Sequence, residues 1–150
     1  MPILLILLLA LVEPAPAPFR WPVAAPQVVR RFDPPPERWL AGHRGVDLAS
    51  RPSAAVRASG AGTVVFAGRV AGRGVVSVAH AGGLRTTYQP VTASVALGDR
   101  VAAGDPIGVV EIGHPGCPAP VCLHWGLRRD DDYLDPLALL GLGRVRLLPL

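Results

Sequence analysis

The chain contains no lysine and no asparagine, so all fifteen of its basic residues are arginine, as a GC-rich coding bias would produce. These arginines are scattered, the net charge is only +4, and no basic run interleaves with aromatics, which argues against a nucleic-acid partner. The charge is compatible with attraction to an anionic cell wall. Long apolar runs are also missing. Ile3 to Val12 is almost pure Leu, Ile and Ala, but these ten residues are half of the roughly twenty that a membrane-spanning helix needs. The segment reads instead as the core of a signal peptide over residues 1–17, with Ala15-Pro16-Ala17 as an A-x-A-like cleavage site, although no Arg or Lys precedes it. A secreted, extracytoplasmic protein is expected, touching the membrane only through an uncleaved signal. Cysteine is scarce too. Cys117 and Cys122, five apart across Pro118 and Pro120, would close a small disulfide loop in an oxidising compartment. A zinc-thiolate role for Cys122 is the competing reading.

Glycine and proline, by contrast, are abundant at 17 each in 150 residues, just short of a disordered composition. A Pro-rich arm over 18–27 is expected to be extended and partly mobile. Beyond it, short segments of strand character are punctuated by glycine turns: Gln27 to Phe32, Ala55 to Ala58, Gly62 to Ala67, Gly74 to Ala79, Leu84 to Gln89, around Val95 and Val101, Ile107 to Glu111, and Cys122 to Arg128. This spacing predicts a mostly β fold, an antiparallel sandwich or barrel-like core over 28–141, rather than alternating strand–helix units. The one helix signal is C-terminal. Asp135 reads as N-cap, Pro136 as the first helical position, Leu137 to Leu140 as the turn and Gly141 as the stop. Residues 142–150 form a tail.

Two stretches carry chemistry. In a strand Cys122, His124 and Gly126 share one face, while Leu123, Trp125 and Leu127 share the other. The second set is apolar and reads as core, so the first aims a histidine elsewhere. Far upstream, His43 and Asp47 lie four apart between glycines. Two histidines and a carboxylate, with a fourth position left open, are the ligand inventory of a catalytic rather than a structural zinc site. The chain is expected to fold so that His43, Asp47 and His124 meet.

These residues resemble a known family. Gly42-His43-Arg44-Gly45-Val46-Asp47 is similar to the H-x-x-x-D motif of lysostaphin-type (LytM-type) zinc endopeptidases. Val76 to His80 with Thr86-Thr87-Tyr88 resembles that family's central hairpin. Leu97 to Val101 with Gly104 to Gly108 resembles its turn-rich segment, Leu123-His124-Trp125 its H-x-H strand, and Asp135-Pro136 its closing D-P. The likeness covers Val28 to Leu140. It implies a β core with a groove, a zinc ion held by His43, Asp47 and His124, and cleavage of peptide cross-links in bacterial peptidoglycan. The chain departs from the pattern at the family's two helper histidines. The first histidine of H-x-H is Cys122 here, and the histidine of the Y-x-H-L segment falls at or beside Gln89. Peptide hydrolysis needs a proton delivered to the leaving amine. Gln89 donates a hydrogen bond but does not shuttle protons near neutral pH, and a disulfide-bonded Cys122 does neither.

His114, in Gly113-His114-Pro115-Gly116 on the loop before the His124 strand, is the best substitute, set against an ordinary exposed loop histidine. His80 reads as a solvated turn residue and Glu111 as an exposed strand-face carboxylate, with orientation of a ligand histidine as its alternative role. Asp130-Asp131-Asp132 lacks the donor spacing of a calcium loop and reads as a solvated turn. Two functions remain: an exported zinc metalloendopeptidase acting on wall peptides, or a degenerate member that binds wall peptide or a partner hydrolase. The pattern Gly98-Asp99-x-Val101-x-x-Gly104-Asp105-x-Ile107-Gly108 also resembles half of a biotinyl or lipoyl carrier, but such carriers need an acceptor lysine.

Overall fold

The computed structural model describes residues 18–142. The signal peptide expected over 1–17, and all but the first residue of the expected tail, lie outside the described residues. Among the described residues eleven strands follow one another, joined mostly by short turns, with longer connections before β2 and β10: β1 (Val28–Arg30), β2 (Gly45–Ser50), β3 (Ala55–Arg57), β4 (Gly62–Val70), β5 (Arg73–Ala79), β6 (Leu84–Gln89), β7 (Val91–Ala93), β8 (Arg100–Val101), β9 (Pro106–Val110), β10 (Val121–Arg129) and β11 (Asp132–Leu134). The larger sheet runs β1-β2-β10-β6-β5-β4-β8, with β11 also paired to β10. The smaller sheet runs β3-β9-β7. Neighbouring strands pair antiparallel throughout, so the mostly β, antiparallel expectation holds, as two open sheets.

Alternation along the strands builds the core. Val46 and Leu48 of β2, Leu123 and Trp125 of β10, Val76 and Val78 of β5, and Tyr88 of β6 are all fully buried and belong to one cluster with Val56, Val64 and Ile107. Tyr88 is the one large polar side chain there. Its hydroxyl accepts from the Ser59 amide at 2.9 Å and pairs with the Thr86 hydroxyl at 2.7 Å, which offsets the cost of burying it. The hairpin between β4 and β5 turns through Ala71 and Gly72, both at positive φ (50° and 78°), as a two-residue loop between right-twisted strands requires.

Three expectations need correction. The C-terminal helix is a single 3-10 turn over Pro136–Leu140. Its predicted caps are present: the Asp135 carboxylate accepts from the Leu137 amide, and Gly141 closes it in the left-handed region. Five residues give too few i to i−4 bonds to establish an α-helix. The arm over 18–27 is docked, not mobile. The Arg20 amide donates to Ser59 O at 2.7 Å, the Trp21 ring lies 6.0 Å from that of Trp125, and Val23 is buried. Finally, Asp132 opens β11 rather than ending a loop.

Leu123 is fully buried on the strand that carries His124. Leu123→Ala is expected to lower unfolding free energy by about 2–5 kcal/mol, read from urea denaturation of the purified protein. A loss below about 1 kcal/mol would contradict the packing described.

Candidate metal centre

β2 and β10 lie side by side with Asp47 directly opposite His124 and Gly45 opposite Gly126. Residues 43, 45 and 47 alternate onto one face, which explains the four-residue spacing of the H-x-x-x-D motif. The middle position has to be glycine. A Cβ at Gly45 would sit 2.5 Å from the Trp125 carbonyl oxygen on β10 and 2.7 Å from His124 Nε2, so both the strand pairing and the imidazole occupy the space a side chain would need. His43 precedes β2 and is held by two backbone hydrogen bonds to Asp33, one donated each way, at 2.7 and 2.9 Å.

The three predicted donors converge. His43 Nε2 is 3.0 Å and His124 Nδ1 is 2.8 Å from the same oxygen, Asp47 Oδ1. One donor atom from each residue lies within 4.8 Å of the others. Their chemistry fits a cation. His43 Nδ1 lies 2.8 Å from the Arg31 carbonyl, which only accepts, so its proton is there. With Nδ1 so engaged, Nε2 is the ring nitrogen that faces Asp47 Oδ1 and is placed to serve as a metal donor. Burial alone would raise the Asp47 carboxyl, but the His114 and His124 imidazoles overcome it, with help from His43, and hold the group well below the usual carboxylate range.

His114 completes the cluster. Its Nε2 lies 3.0 Å from the other carboxylate oxygen, Asp47 Oδ2, yet off the line a hydrogen bond needs. Both its ring nitrogens are buried without a hydrogen-bond partner among the described residues. With its side chain only 10 % exposed, it is not an ordinary exposed loop histidine. The loop that carries it is tied down by the Cys117–Cys122 disulfide. That pairing makes the thiolate reading of Cys122 untenable. Gln89 lies opposite His124 on β6 and lines the same groove.

The remaining candidates lie elsewhere. His80 bonds to the Ala61 carbonyl and the Thr86 hydroxyl. Burial pushes its imidazole pKa down, with the Ala61 bond acting the other way. Glu111 is half-buried just past β9 and binds Arg69 and Thr92 at 3.0 and 2.8 Å, so it orients no ligand histidine. Sequence reading missed Arg44, Arg128 and Tyr133, which line the groove beside His124. A signal existed for one of them: period two carries the face of His124 through Gly126 to Arg128.

An antiparallel β core presenting a His–Asp–His donor set at a groove defines a metallopeptidase-type architecture. The sequence profile of peptidase family M23 matches residues 41–136, and the chain belongs to that family, in agreement with its lysostaphin-type motifs. The "Uncharacterized protein Rv2891" of Mycobacterium tuberculosis is 53% identical over 135 residues, covering 87% of this chain and 54% of that one. "DD-carboxypeptidase/endopeptidase Mpg" of Neisseria meningitidis serogroup B is 33% identical over 98 residues, covering 65% of this chain and 22% of that one. The chain thus spans about half the length, or less, of these curated relatives. Among solved structures, a chain of the SpoIIQ-SpoIIIAH pore forming complex aligns with TM-score 0.68 at 28% identity, covering 81% of this chain and 89% of that one. Lysostaphin aligns with TM-score 0.63 at 24% identity, covering 83% and 54%, which shows the shared fold.

Gly45→Ala tests the packing at the donors. The new Cβ would collide with the Trp125 carbonyl and the His124 ring, and zinc affinity is expected to fall by about 10–100-fold, read by competition with a chromophoric chelator. Unchanged affinity would mean that His124 is not held as described.

Proposed function

We propose that this chain is an exported zinc metalloendopeptidase that hydrolyses peptide bonds of bacterial cell-wall peptidoglycan. The observation that carries the reading is the convergence of His43 Nε2, Asp47 Oδ1 and His124 Nδ1, with His114 Nε2 3.0 Å from the other oxygen of Asp47. His43, Asp47 and His124 would hold zinc, which when bound lowers the pKa of water to about 7 and polarises a carbonyl. The rest falls to the chain's own side chains. The Arg31 carbonyl fixes the His43 tautomer, leaving Nε2 free as a donor. His114 takes a proton from the attacking water and returns it to the leaving amine, filling the role that the resemblance leaves vacant at Gln89 and Cys122. Gln89, beside His124 in the groove, donates a hydrogen bond to the carbonyl oxygen of the scissile bond. The floor of the groove is two paired strands, which suits an extended peptide.

A second reading has support of its own: a member that binds wall peptide or a partner hydrolase without turnover. A glutamine and a disulfide-bonded cysteine stand where the resemblance expects proton-handling histidines. A structural neighbour, moreover, was solved within a complex with another protein.

Purified mature domain is expected to carry one zinc and to release new amine termini from peptidoglycan. Stoichiometric zinc with no termini released between about pH 5 and 9 would favour the binding module. His114→Ala is expected to cut turnover at least about tenfold with zinc content retained, since a placed acid–base group is worth about 10²–10⁴. An unchanged rate would remove His114 from the mechanism.

A further inference from the structure

The face of β10 that carries His124 continues through Gly126 to Arg128, and β6 sets Gln89 and Thr87 opposite His124 and Gly126. These residues, with Arg44, Leu127 and Tyr133, line a groove of about 310 Å³, room for a short stretch of peptide. Its middle is open. A Cβ on Gly126 would meet nothing closer than the Arg44 carbonyl at 3.8 Å and His124 Nε2 at 3.9 Å.

The charge of this groove is one-sided, because its lining holds two arginines and no carboxylate. Both arginines are half-buried, and both guanidinium groups lie against the Tyr133 ring, at 5.7 Å for Arg44 and 5.9 Å for Arg128. Stacking on the aromatic face fixes their direction without neutralising them. Arg44 is pinned further by donating to the Arg38 and Leu40 carbonyls, and Arg128 Nε donates to the Asp130 carbonyl at 3.0 Å. The terminal nitrogens of Arg128 have no hydrogen-bond partner among the described residues. Nor does either arginine belong to an ion pair there, whereas Arg69 pairs with Glu111 at 3.0 Å and Arg38 with Asp132 at 3.9 Å. On their other side Arg44, Arg128 and Tyr133 wall an adjoining cavity that also holds Glu37, Asp131, Asp132 and Arg38.

From these observations we infer that the groove selects peptides bearing a free carboxylate, held by Arg128 and Arg44. The inference rests on the peptidase reading above and names the substrate chemistry of that site. Two positioned, unpaired guanidinium groups in a half-dry groove carry a desolvation cost that an anion relieves. The planar fork of Arg matches a carboxylate bidentately, and an amide of the same shape supplies neither the charge nor the second acceptor. Arg128 lies four residues along the strand from His124, about 13 Å at 3.3 Å per residue. The carboxylate is therefore expected about four residues along the peptide from the bond at the metal centre.

The test uses the zinc-loaded chain and pairs of fluorescent Ala/Gly hexapeptides. Members of a pair differ only in carrying Glu or Gln at one position, scanned along the peptide. Binding is read by anisotropy and cleavage by mass spectrometry. At one or two positions the Glu peptide is expected to bind about tenfold tighter than its Gln partner, the scale of a charge-assisted hydrogen-bond pair. Arg128→Gln is expected to bring the ratio of the two peptides' Kd values from about tenfold to below about twofold. Arg128→Lys is expected to restore part of it, because charge returns without the fork. If Arg128→Gln does not fold, Arg44→Gln carries the same comparison. Equal binding of Glu and Gln at every position, or a preference that survives Arg128→Gln and Arg44→Gln alike, would overturn the inference. Cleavage without preference would sink this inference alone, and preference without cleavage would sink only the hydrolytic reading.

Discussion

The pairing of β2 with β10 in one register is the constraint on which everything else stands. His124 faces Asp47 because Leu123 faces Leu48 and Trp125 faces Val46, and all four of these apolar residues are fully buried. Slipping the pair by one residue would turn Asp47 and His124 into the core and bring Leu48 and Trp125 out. The core on one side of the ribbon therefore fixes the donor geometry on the other. Selection for packing and selection for the site act on the same hydrogen-bond ladder.

That geometry concentrates charge. One carboxylate is buried among three imidazoles, with Oδ1 shared by His43 and His124 and Oδ2 facing His114. Burial disfavours the anion and the imidazoles more than restore it, so Asp47 stays ionised at any pH where the fold is of interest. The three donor atoms converge on one point while His43 Nδ1 is turned away toward Arg31, an arrangement suited to holding a cation. The fold supplies the energy to hold it because the ligands project from paired strands and a bridged segment, not from free loops.

How much of this was legible beforehand depends on which faces of a strand are buried. β10 alternated visibly, Leu123 and Trp125 against His124, so its two faces and its ligand could be read. β2 was not among the predicted strands, although it holds Asp47. Gly45 to Leu48 is buried on both faces, which erases the period-two signal. β7 and β11 were missed for a different reason: the first was expected a few residues late, around Val95, and the second opens with Asp132, which reads as part of a solvated turn. The docking of the arm was hidden as well, because Trp21 and Val23 sit among prolines and alanines that read as a linker by composition. The arginine groove draws Arg44, Arg128 and Tyr133 from separate segments. Only the strand face extending from His124 pointed to any of them.

The disulfide links these points to the proposed chemistry. Cys122 shares a face with His124, where the resemblance expects a histidine held rigidly by the strand. A proton-handling group moved from a strand to a loop loses that rigidity and must regain it in another way. Here Cys122 and Cys117 clamp the loop to β10, with Cα atoms 5.7 Å apart, and the loop buries His114 against Asp47. The residue that departs from the pattern is thus one end of the crosslink that holds its proposed replacement. Rigidity at the acid–base position is then a property of an oxidised chain, which ties the proposed chemistry to the extracytoplasmic setting where such a bond persists.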